Sequence, residues 1–489
     1  MRVVVVGAGF GGLSAACHLA GSGHDVLLLE RDGHAGGRAG VWQSEGFTFD
    51  TGPVVLTMEP YLRAVFAAAG EAMEDHVELI PVDPMYRSNF ADGSTIEVKR
   101  GVEAMAEELR ATSGSAAADS FVKFAAWLGE LAAVEVPGFI DRNFDGLASM
   151  AWPVTPLTRL LRLGALGKFD AAVRRHFDDE RLRRLFSFRA LYAGMSPMKA
   201  LAAFAVITWM DTVEGVWYAR GGIASVAEGM ARALEKAGGE IRFGSEVDRV
   251  ERGLDGRVSG VRLVSGEVEG ADAVVINADL PGAYDLLPGI SPPRVLRRGV
   301  YSPSCLVWLA GVRGDLPAGT THHNIHFGEQ WDEAFDDLLA KGKPMQDPSL
   351  LVSVASHTDP TLAPDGAHSL YVLEPLPNLR DATVALRTGE RTEALRHRIA
   401  ALGYPVREGD VLVERSTGPS EWQQMGLVNG TPFSLAHRFF QSGPFRASNV
   451  EKRVPGVFFA GSGTQPGVGV PMVLLSGRLA AERVAAFKP

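Results

Sequence analysis

The chain has 489 residues, of which 46% are hydrophobic and 22% are charged, and its net charge is −10. This length predicts two or three domains with sizeable cores, and the composition is that of a globular protein. The negative charge argues against nucleic acid as a general partner. The two cysteines, Cys17 and Cys305, have no C-x-x-C neighbours, which predicts a reducing compartment and no thiol chemistry.

The chain opens with a nucleotide-binding pattern. A β-branched run from Val3 to Val6 leads into Gly7, Gly9 and Gly12, which form G-x-G-x-x-G. Gly7 permits a tight turn, and Gly9 lets the backbone approach a pyrophosphate. Gly12 lets the next helix, predicted over Leu13 to Ala20, pack on the strand. Free amides at the start of that helix would bind phosphate, so this segment predicts a dinucleotide site.

The next segment favours FAD over NAD. A second strand, predicted over Val26 to Leu29, ends at Glu30, whose carboxylate would accept hydrogen bonds from ribose hydroxyls. Gly36, Gly37 and Arg38 follow directly. The glycines let a loop lie against the cofactor, and the guanidinium supplies donors for pyrophosphate oxygens. This GGR sequence resembles FAD proteins of the amine-oxidase superfamily, and nicotinamide dehydrogenases ordinarily lack it.

A basic and apolar stretch lies in the middle of the chain. From Arg159 to Arg189 there are nine basic and four acidic residues. They alternate with apolar residues: Leu160, Leu161, Leu163, Leu166, Phe169 and Phe177. Such a stretch would lie on an anionic membrane with its apolar face in the interface. A solvated basic helix face is the alternative. No apolar run reaches the roughly 18 residues that would span a bilayer.

Further elements follow the basic stretch. They are a helix over Gly222 to Ala237 and strands over Glu240 to Phe243, Val247 to Glu251, Val258 to Leu263, Leu306 to Val312 and Leu350 to Ser356. Near the end, a glycine-rich loop precedes a helix predicted over Leu474 to Phe487; the loop holds Gly461, Gly463, Gly467, Gly469 and Pro471. A backbone without side chains suits a flat ring, and the helix N-terminus would stabilise the negative charge of reduced flavin.

Four stretches together resemble bacterial carotenoid desaturases of the phytoene-desaturase type, within the FAD-dependent amine-oxidase superfamily. They are GAGFGG with GGR, FDTGPVVLTM from Phe49 to Met58, GVWYARGG from Gly215 to Gly222, and GSGTQPGVGVP from Gly461 to Pro471. VVINAD, HHNI and DPTLAPDG are weaker matches. Two residues depart from the family pattern: Gln465 stands where histidine is usual, and Met472 stands where glycine is frequent.

The resemblance implies an α/β fold with three units. A Rossmann-like FAD-binding domain would use residues 1–85, 215–290 and 425–489. A mixed-sheet substrate domain would use 86–105 and 291–424, and residues 106–214 would form a helical, membrane-associating cap. The implied FAD contacts are Gly7, Gly9, Phe10, Gly12, Glu30, Arg31, Gly37, Arg38, Gly52, Pro53, Val54, Val247, Gly461, Gly469, Val470 and Pro471. The backbone of Val247 would touch the adenine, although a plain core valine is an equal alternative.

Polyene desaturation needs little acid or base chemistry. An allylic C–H is too weak an acid for a side chain, so the flavin would take hydride and a proton would leave the adjacent carbon. Asp211 or Glu214, just ahead of Gly215, is the candidate proton acceptor; helix-end carboxylates without a chemical role are the alternative. No carboxylate or thiol ligand lies beside the histidines of the HHNIH segment, which are His322, His323 and His326, so no metal is expected. The electron acceptor would be a quinone or dioxygen.

The resemblance leaves several functions open. GPVVLTMEP, VFAAAG and ADGS favour the 1-hydroxycarotenoid 3,4-desaturase branch, with phytoene desaturation as the runner-up. Polyene isomerisation, an amine or porphyrinogen oxidase, and a non-catalytic carotenoid-binding protein are further alternatives. No charged-then-apolar leader precedes the first strand, which predicts the cytoplasmic side. Together with the basic and apolar stretch, this predicts a peripheral protein on the cytoplasmic face of the membrane.

Overall fold

The computed structural model describes residues 1–146 and 154–488. Its strands are β1 (Arg2–Val6), β2 (Asp25–Leu29), β3 (Val41–Ser44), β4 (Phe47–Asp50), β5 (Leu79–Pro81), β6 (Tyr86–Asn89), β7 (Thr95–Val98), β8 (Trp217–Ala219), β9 (Glu240–Arg242), β10 (Val247–Arg252), β11 (Val258–Leu263), β12 (Val268–Gly270), β13 (Ala273–Ile276), β14 (Ser304–Arg313), β15 (His323–His326), β16 (Leu350–Ser353), β17 (Ala367–Leu376), β18 (Val411–Thr417) and β19 (Val457–Phe459). Its α-helices are α1 (Phe10–Gly21), α2 (Glu59–Ala68), α3 (Val102–Ser113), α4 (Ser115–Glu135), α5 (Val154–Arg162), α6 (Phe169–Arg174), α7 (Glu180–Ser187), α8 (Val206–Thr208), α9 (Ala224–Lys236), α10 (Leu280–Ala283), α11 (Arg294–Arg298), α12 (Asp332–Leu339), α13 (Thr388–Ala401), α14 (Pro419–Gln424) and α15 (Val470–Ala485).

A five-stranded parallel sheet joins three distant parts of the chain. Its strand order is β19-β13-β1-β2-β9, so β1 lies between β13 and β2. Alternate residues of β1 face opposite sides. Val3 and Val5 pack with helices α1, α9 and α15, whereas Val4 and Val6 pack with strands β10 and β11. Because both faces are covered, the strand is continuously apolar.

The two ends of the chain meet where α1 crosses α15. A Cβ on Gly477 would lie 2.4 Å from the carbonyl oxygen of Gly11 and 2.7 Å from the amide nitrogen of Ala15. Glycine at position 477 therefore allows the helix backbones to touch. The hydroxyl of Ser14 also donates to the carbonyl of Leu474 at 2.6 Å. The crossing brings the glycine-rich loop before α15 next to the glycine-rich turn before α1.

A seven-stranded sheet has the order β18-β14-β17-β16-β15-β6-β7. Its neighbouring strands are antiparallel, except that β15 and β6 are parallel. One face packs Trp308 and Val372 against helix α13, and the other packs Val307 and Tyr371 against Phe47 of β4. The helices between α3 and α8 pack on the β6 and β7 end. The boundaries of the three units stay a prediction.

Several predicted element ends differ from the structure. The terminal helix begins at Val470 rather than Leu474, because a proline such as Pro471 is tolerated in a first helical turn. The strand predicted over Leu350 to Ser356 ends at Ser353, before a short 3₁₀ turn over Ala355–His357. In the part of the chain that the structure describes, no helix is both long and apolar enough to cross a membrane.

Candidate active site

The turn between β1 and α1 contains the predicted pyrophosphate contacts. Gly7 has a φ of +99°, which side chains of L residues rarely adopt. A Cβ on Gly12 would lie 2.0 Å from the carbonyl oxygen of Gly7, so only glycine lets α1 pack this closely. The side chain of Phe10 is buried in the core under α1, which leaves its backbone for a cofactor. The first backbone amides of α1 are free to donate hydrogen bonds to a phosphate.

Asn277, at the end of β13, joins this turn to the far end of the chain. A Cβ on Gly9 would lie 2.7 Å from its Oδ1. Its Nδ2 donates to the carbonyl of Ala460 at 2.9 Å, just before Gly461. Gly461 has a φ of +123°, and a Cβ there would lie 2.9 Å from the same Nδ2. Asn277 lies in the VVINAD motif, but its spacing alone does not predict this bridge.

The predicted adenosine end is formed by Glu30 and its neighbours. Glu30 is buried, and its carboxylate accepts hydrogen bonds from the amides of Ala8 at 2.6 Å and Asp32 at 2.9 Å. These bonds fix the carboxylate beside the glycine-rich turn and leave lone pairs for ribose hydroxyls. Arg31 is exposed. Val247 begins β10 and is buried in the core below the sheet, so only its backbone is left for an adenine contact.

The GGR segment is hydrogen-bonded to the glycine-rich turn. The amide of Gly36 donates to the carbonyl of Ala8 at 2.9 Å, and a Cβ on Gly37 would lie 3.3 Å from the Cα of Gly9. Arg38 donates to the carbonyl of Pro432 at 2.6 Å and to Ser462 Oγ at 2.8 Å. Two of its nitrogens therefore link the GGR segment to the C-terminal loop. Burial lowers the pKa of Arg38, and nearby Asp279 opposes that shift.

The segment after β4 packs on the GGR segment. A Cβ on Gly52 would lie 1.9 Å from the carbonyl oxygen of Arg38. The carbonyl of Gly52 accepts a hydrogen bond from the Tyr371 hydroxyl at 2.9 Å, which ties this loop to the seven-stranded sheet. Pro53 and Val54 are half-buried. The segment thus lies where the two sheets meet.

The loop before α15 is open at Gly469, although Gly463 and Gly467 are closely packed. Gly469 has a φ of +111°, and a Cβ there would meet only Met472 Cγ, at 3.9 Å. Val470 and Pro471 follow as the first turn of α15. This open, side-chain-free approach to a helix N-terminus fits a flat ring that becomes negatively charged on reduction.

Arg446, which no sequence motif marks, holds the same loop in place. It is 2% exposed and donates to the carbonyls of Ser462 at 2.6 Å and Thr464 at 3.1 Å. Burial lowers its pKa to about 10. Gln465, one of the two departures from the family pattern, is buried, and its Nε2 donates to the carbonyl of Gly443 at 3.1 Å. The side chain of Gln465 therefore stabilises the loop.

A small cavity with a mixed lining lies beside the segment that follows β4. It is lined by Thr48, Phe49, Asp50, Val54, Gly221, Gly222, His322, Ser353, Ala355, Leu362, Ser369 and Tyr371, and its volume is about 20 Å³. That is room for one water molecule. Asp50 Oδ1 accepts a hydrogen bond from the amide of Ile223 at 2.8 Å. Burial raises the pKa of Asp50 to about 7, and the amides of Ile223 and Ala224 oppose the shift.

The structure places the two candidate proton acceptors in different surroundings. Asp211 is buried in an ion pair with Arg189, which is fully buried. Burial raises the pKa of Asp211, and Arg189 opposes the shift. Glu214 Oε1 accepts a hydrogen bond from Trp209 Nε1 at 3.2 Å, and burial raises its pKa. Asp211 is thus already neutralised by a cation, and a role in proton transfer stays a prediction for both.

The histidine cluster has hydrogen-bond partners of its own. His322 Nδ1 lies 2.7 Å from Thr358 Oγ1, and His323 Nδ1 lies 2.7 Å from Ser353 Oγ. Burial lowers the pKa of both histidines. Within residues 1–146 and 154–488, no group of three or more His, Cys, Asp or Glu side chains is arranged to hold a metal ion.

The apolar residues from Arg159 to Arg189 do not lie together on one exposed face. Leu160, Phe169 and Phe177 are buried in the cap core, because three separate helices fold over them. Only Leu161 and Leu166 are strongly exposed. Several of the cations are also engaged: Arg174 with Asp170, Arg183 with Glu180, and Arg184 with the carbonyl of Gly328. Membrane association itself stays a prediction.

Comparison of the chain with known proteins identifies its family. A family profile described as flavin containing amine oxidoreductase matches residues 10–485. The chain belongs to this family. The match runs from the first residue of α1 to the last residue of α15, so it begins just after Gly9 and includes Gly12, the GGR segment and the whole glycine-rich loop before α15. The glycine-rich turn before α1, Glu30 and the GGR segment together form a nucleotide cradle. FAD is the cofactor that this cradle fits, and the cofactor prediction is confirmed.

Curated relatives refine the family. The chain is 44% identical over 492 residues to a phytoene dehydrogenase of Streptomyces griseus, covering 99% of this chain and 95% of the relative. It is 31% identical to a carotenoid 3,4-desaturase of Haloarcula japonica, covering 98% of this chain and 97% of the relative. The predicted membership of the carotenoid desaturases in the amine-oxidase superfamily is therefore confirmed. The enzyme is an FAD-dependent oxidoreductase that acts on CH–CH groups.

A solved structure shows the same fold at low identity. Wild-type putrescine oxidase bound to putrescine matches with a TM-score of 0.62 and 16% identity, covering 99% of both chains. At that identity the match concerns the fold alone. It confirms the predicted α/β architecture with a mixed sheet.

Proposed function

We propose that this enzyme introduces a conjugated double bond into an acyclic carotenoid, between carbons 3 and 4 of a 1-hydroxylated end. The observation that carries the proposal is full-length similarity to relatives named for desaturation of phytoene and of carotenoids, one of them a 3,4-desaturase. The motifs GPVVLTMEP and ADGS favour the 3,4 branch. Phytoene desaturation is the second candidate, because the 44% identical relative is a phytoene dehydrogenase.

Half-buried apolar side chains around the cap core support a long apolar substrate. Val55, Ile207, Leu351 and Met472 pack against the cap core and yet keep part of their surface exposed. They come from the segment after β4, the cap, the seven-stranded sheet and α15, so half-buried apolar side chains from all three predicted units pack on one apolar cluster. Such surroundings suit an apolar polyene better than a charged amine.

FAD, when bound, accepts the hydride that the substrate loses. The amides of α1 and the carboxylate of Glu30 would hold its nucleotide part, and the backbone near Gly469 would hold its ring. The protein's own task is to align one carbon of the polyene and to exclude water. The second hydrogen leaves as a proton, for which Asp211 and Glu214 are the proposed acceptors. A quinone or dioxygen is the proposed final electron acceptor.

The proposal is tested by supplying two substrates separately. The FAD-loaded enzyme receives a 1-hydroxylated acyclic carotenoid or phytoene, with a quinone and then with dioxygen as acceptor. We expect a red-shifted product that has lost two hydrogens from the hydroxylated substrate only. A red shift with phytoene alone would move the assignment to phytoene desaturation. A product of unchanged mass but altered double-bond geometry would show isomerisation instead.

We also propose that the enzyme works at the cytoplasmic face of a membrane, where such substrates dissolve. Cell fractionation tests the location: the enzyme should pellet with membranes and be released by salt or alkali without detergent. Recovery only in the soluble fraction at low salt would contradict it.

A further inference from the structure

An exposed aromatic cluster stands on the loop of residues 438–445, called here the aromatic loop. Phe439 is 43% exposed and Phe440 is 72% exposed. Their rings contact each other at 5.1 Å between centroids, and both contact Phe445, at 5.7 Å and 5.3 Å. Three adjoining aromatic side chains on one surface loop are a feature of interaction sites rather than of ordinary protein surface.

The backbone of the aromatic loop is held firmly from below. The Gln441 side chain donates to the carbonyls of Val300 and Ala436, at 2.8 Å and 3.0 Å, and accepts from the amide of Val300 at 2.8 Å. Arg446, just after the loop, is fixed by the carbonyls described above. The phenylalanines therefore cannot fold into the core without breaking buried hydrogen bonds.

The charge around the aromatic loop suits an anionic partner. Residues 432–450 contain no Asp or Glu, although the whole chain has a net charge of −10. Arg438 is exposed, and within the described ranges its guanidinium forms no salt bridge. An exposed cation beside exposed aromatic rings is the pattern of segments that lie at a bilayer surface, with rings among the headgroups and cations near lipid phosphates.

The aromatic loop is also placed beside the site. The backbone amide of His437 donates to the carbonyl of Ala193 in the cap at 2.8 Å, and its ring contacts Phe204 at 5.8 Å. On the other side, Gln465 binds the carbonyl of Gly443. A partner that binds the aromatic loop would therefore lie at the junction of the cap and the C-terminal loop.

We propose that the aromatic loop inserts Phe439 and Phe440 into the headgroup region of an anionic bilayer. A lipid surface is favoured over a protein partner because Arg438 forms no salt bridge with the described residues and residues 432–450 contain no Asp or Glu. The reason for such binding, access to a lipid-dissolved substrate, rests on the proposed function, whereas the binding itself does not. This proposal therefore places the membrane contact at residues 438–445, whereas the sequence predicted it at residues 159–189.

The test uses the full FAD-loaded chain and vesicles of phosphatidylcholine with about 30% phosphatidylglycerol. The double variant Phe439→Ser/Phe440→Ser should lose about tenfold or more of the vesicle affinity. The matched control is Leu254→Ser/Val264→Ser, which removes two other exposed apolar side chains and should bind like the wild type. Arg438→Glu should weaken binding to anionic vesicles and leave binding to neutral ones unchanged.

A second measurement does not depend on disruptive variants. Phe440→Trp should keep the fold, and its fluorescence should be quenched by brominated lipid more strongly than that of the wild type. Normal vesicle binding by Phe439→Ser/Phe440→Ser would overturn the inference. So would loss of binding only when Arg174, Arg175, Arg183 and Arg184 are replaced by glutamate. A wild-type dimer that becomes a monomer in the phenylalanine variant, with vesicle binding unchanged, would show a contact between copies.

The outcomes separate this inference from the proposed function. Vesicle binding through the aromatic loop without conversion of any carotenoid would remove the function and keep the binding surface. If a Phe439→Ser/Phe440→Ser variant still binds vesicles and converts detergent-dispersed carotenoid, the proposed function is kept and the aromatic loop is removed as the binding surface.

Discussion

Replacing Asp50 by asparagine should change how the stability of the enzyme depends on pH. Asp50 Oδ1 accepts the amide of Ile223 at 2.8 Å, which an asparagine oxygen also does. Burial raises the pKa of Asp50 from 3.8 to about 7. Because the folded pKa lies above the unfolded one, the folded state binds the proton more tightly. Stability is therefore lost as pH rises from the unfolded pKa to the folded pKa and is constant above it.

The size of the effect follows from the shift. One pKa unit corresponds to about 1.4 kcal/mol, so between about pH 5 and about pH 8.5 the wild type should lose up to about 3 kcal/mol through this group. This is an upper limit, because part of Asp50 is still exposed. For 489 residues unfolding at about 2.1 cal/mol/K each, the loss corresponds to about 3 °C in Tm.

The assay is thermal unfolding of the flavin-saturated wild type and Asp50→Asn at both pH values. The variant should gain about 3 °C relative to the wild type on going from the lower to the higher pH. Asp365→Asn removes an exposed carboxylate and serves as the matched control, with no such gain expected. Parallel pH profiles for the wild type and Asp50→Asn would refute the reasoning, since they would show that the carboxylate is ionised in the fold at no cost.

Three further predictions concern the cradle and the cap. Gly9→Asp should abolish FAD binding, since a Cβ there lies 2.7 Å from Asn277 Oδ1 and the carboxylate would repel the pyrophosphate; normal flavin absorbance in the purified variant would contradict this. Arg189→Met should lower the free energy of unfolding by about 3–5 kcal/mol, because Asp211 is left buried and unpaired, and Arg189→Met/Asp211→Leu should recover much of this loss. Urea unfolding measures both; a double variant no more stable than the single one would be inconsistent with a buried Arg189–Asp211 ion pair. If Asp211 accepts the proton, Asp211→Asn should slow turnover with full flavin occupancy and unchanged substrate affinity; an unchanged rate would remove it from the mechanism.

The nucleotide cradle could be predicted from the sequence because its chemistry is local. Gly7 and Gly12 owe their roles to a tight turn and to the start of α1, which lie only a few residues apart, and Glu30 follows at a distance set by α1 and β2. A short sequence motif therefore contains most of the residues that nucleotide binding requires. The GGR segment is local in the same way, and it distinguished FAD from NAD.

The supports of the cradle could not be predicted, because they come from distant parts of the chain. Asn277 reaches Gly9 only after β13 pairs with β1, and Arg446 is an ordinary arginine until Ser462 and Thr464 fold around it. The burial of apolar residues between Arg159 and Arg189 was not predicted either, for the opposite reason. The local pattern of this stretch suits a membrane helix, but turns divide it into helices that bury their apolar residues against one another.

The central claim is most directly tested by a single turnover of the FAD-loaded enzyme with a 1-hydroxylated acyclic carotenoid and no electron acceptor. The account predicts that one product molecule, lacking two hydrogens and absorbing at longer wavelength, forms for each flavin reduced, and that turnover resumes when a quinone or dioxygen is added. Reduction of the flavin by phytoene alone would contradict the 3,4 assignment. A fully flavin-loaded enzyme that leaves both carotenoids unchanged would contradict desaturation itself.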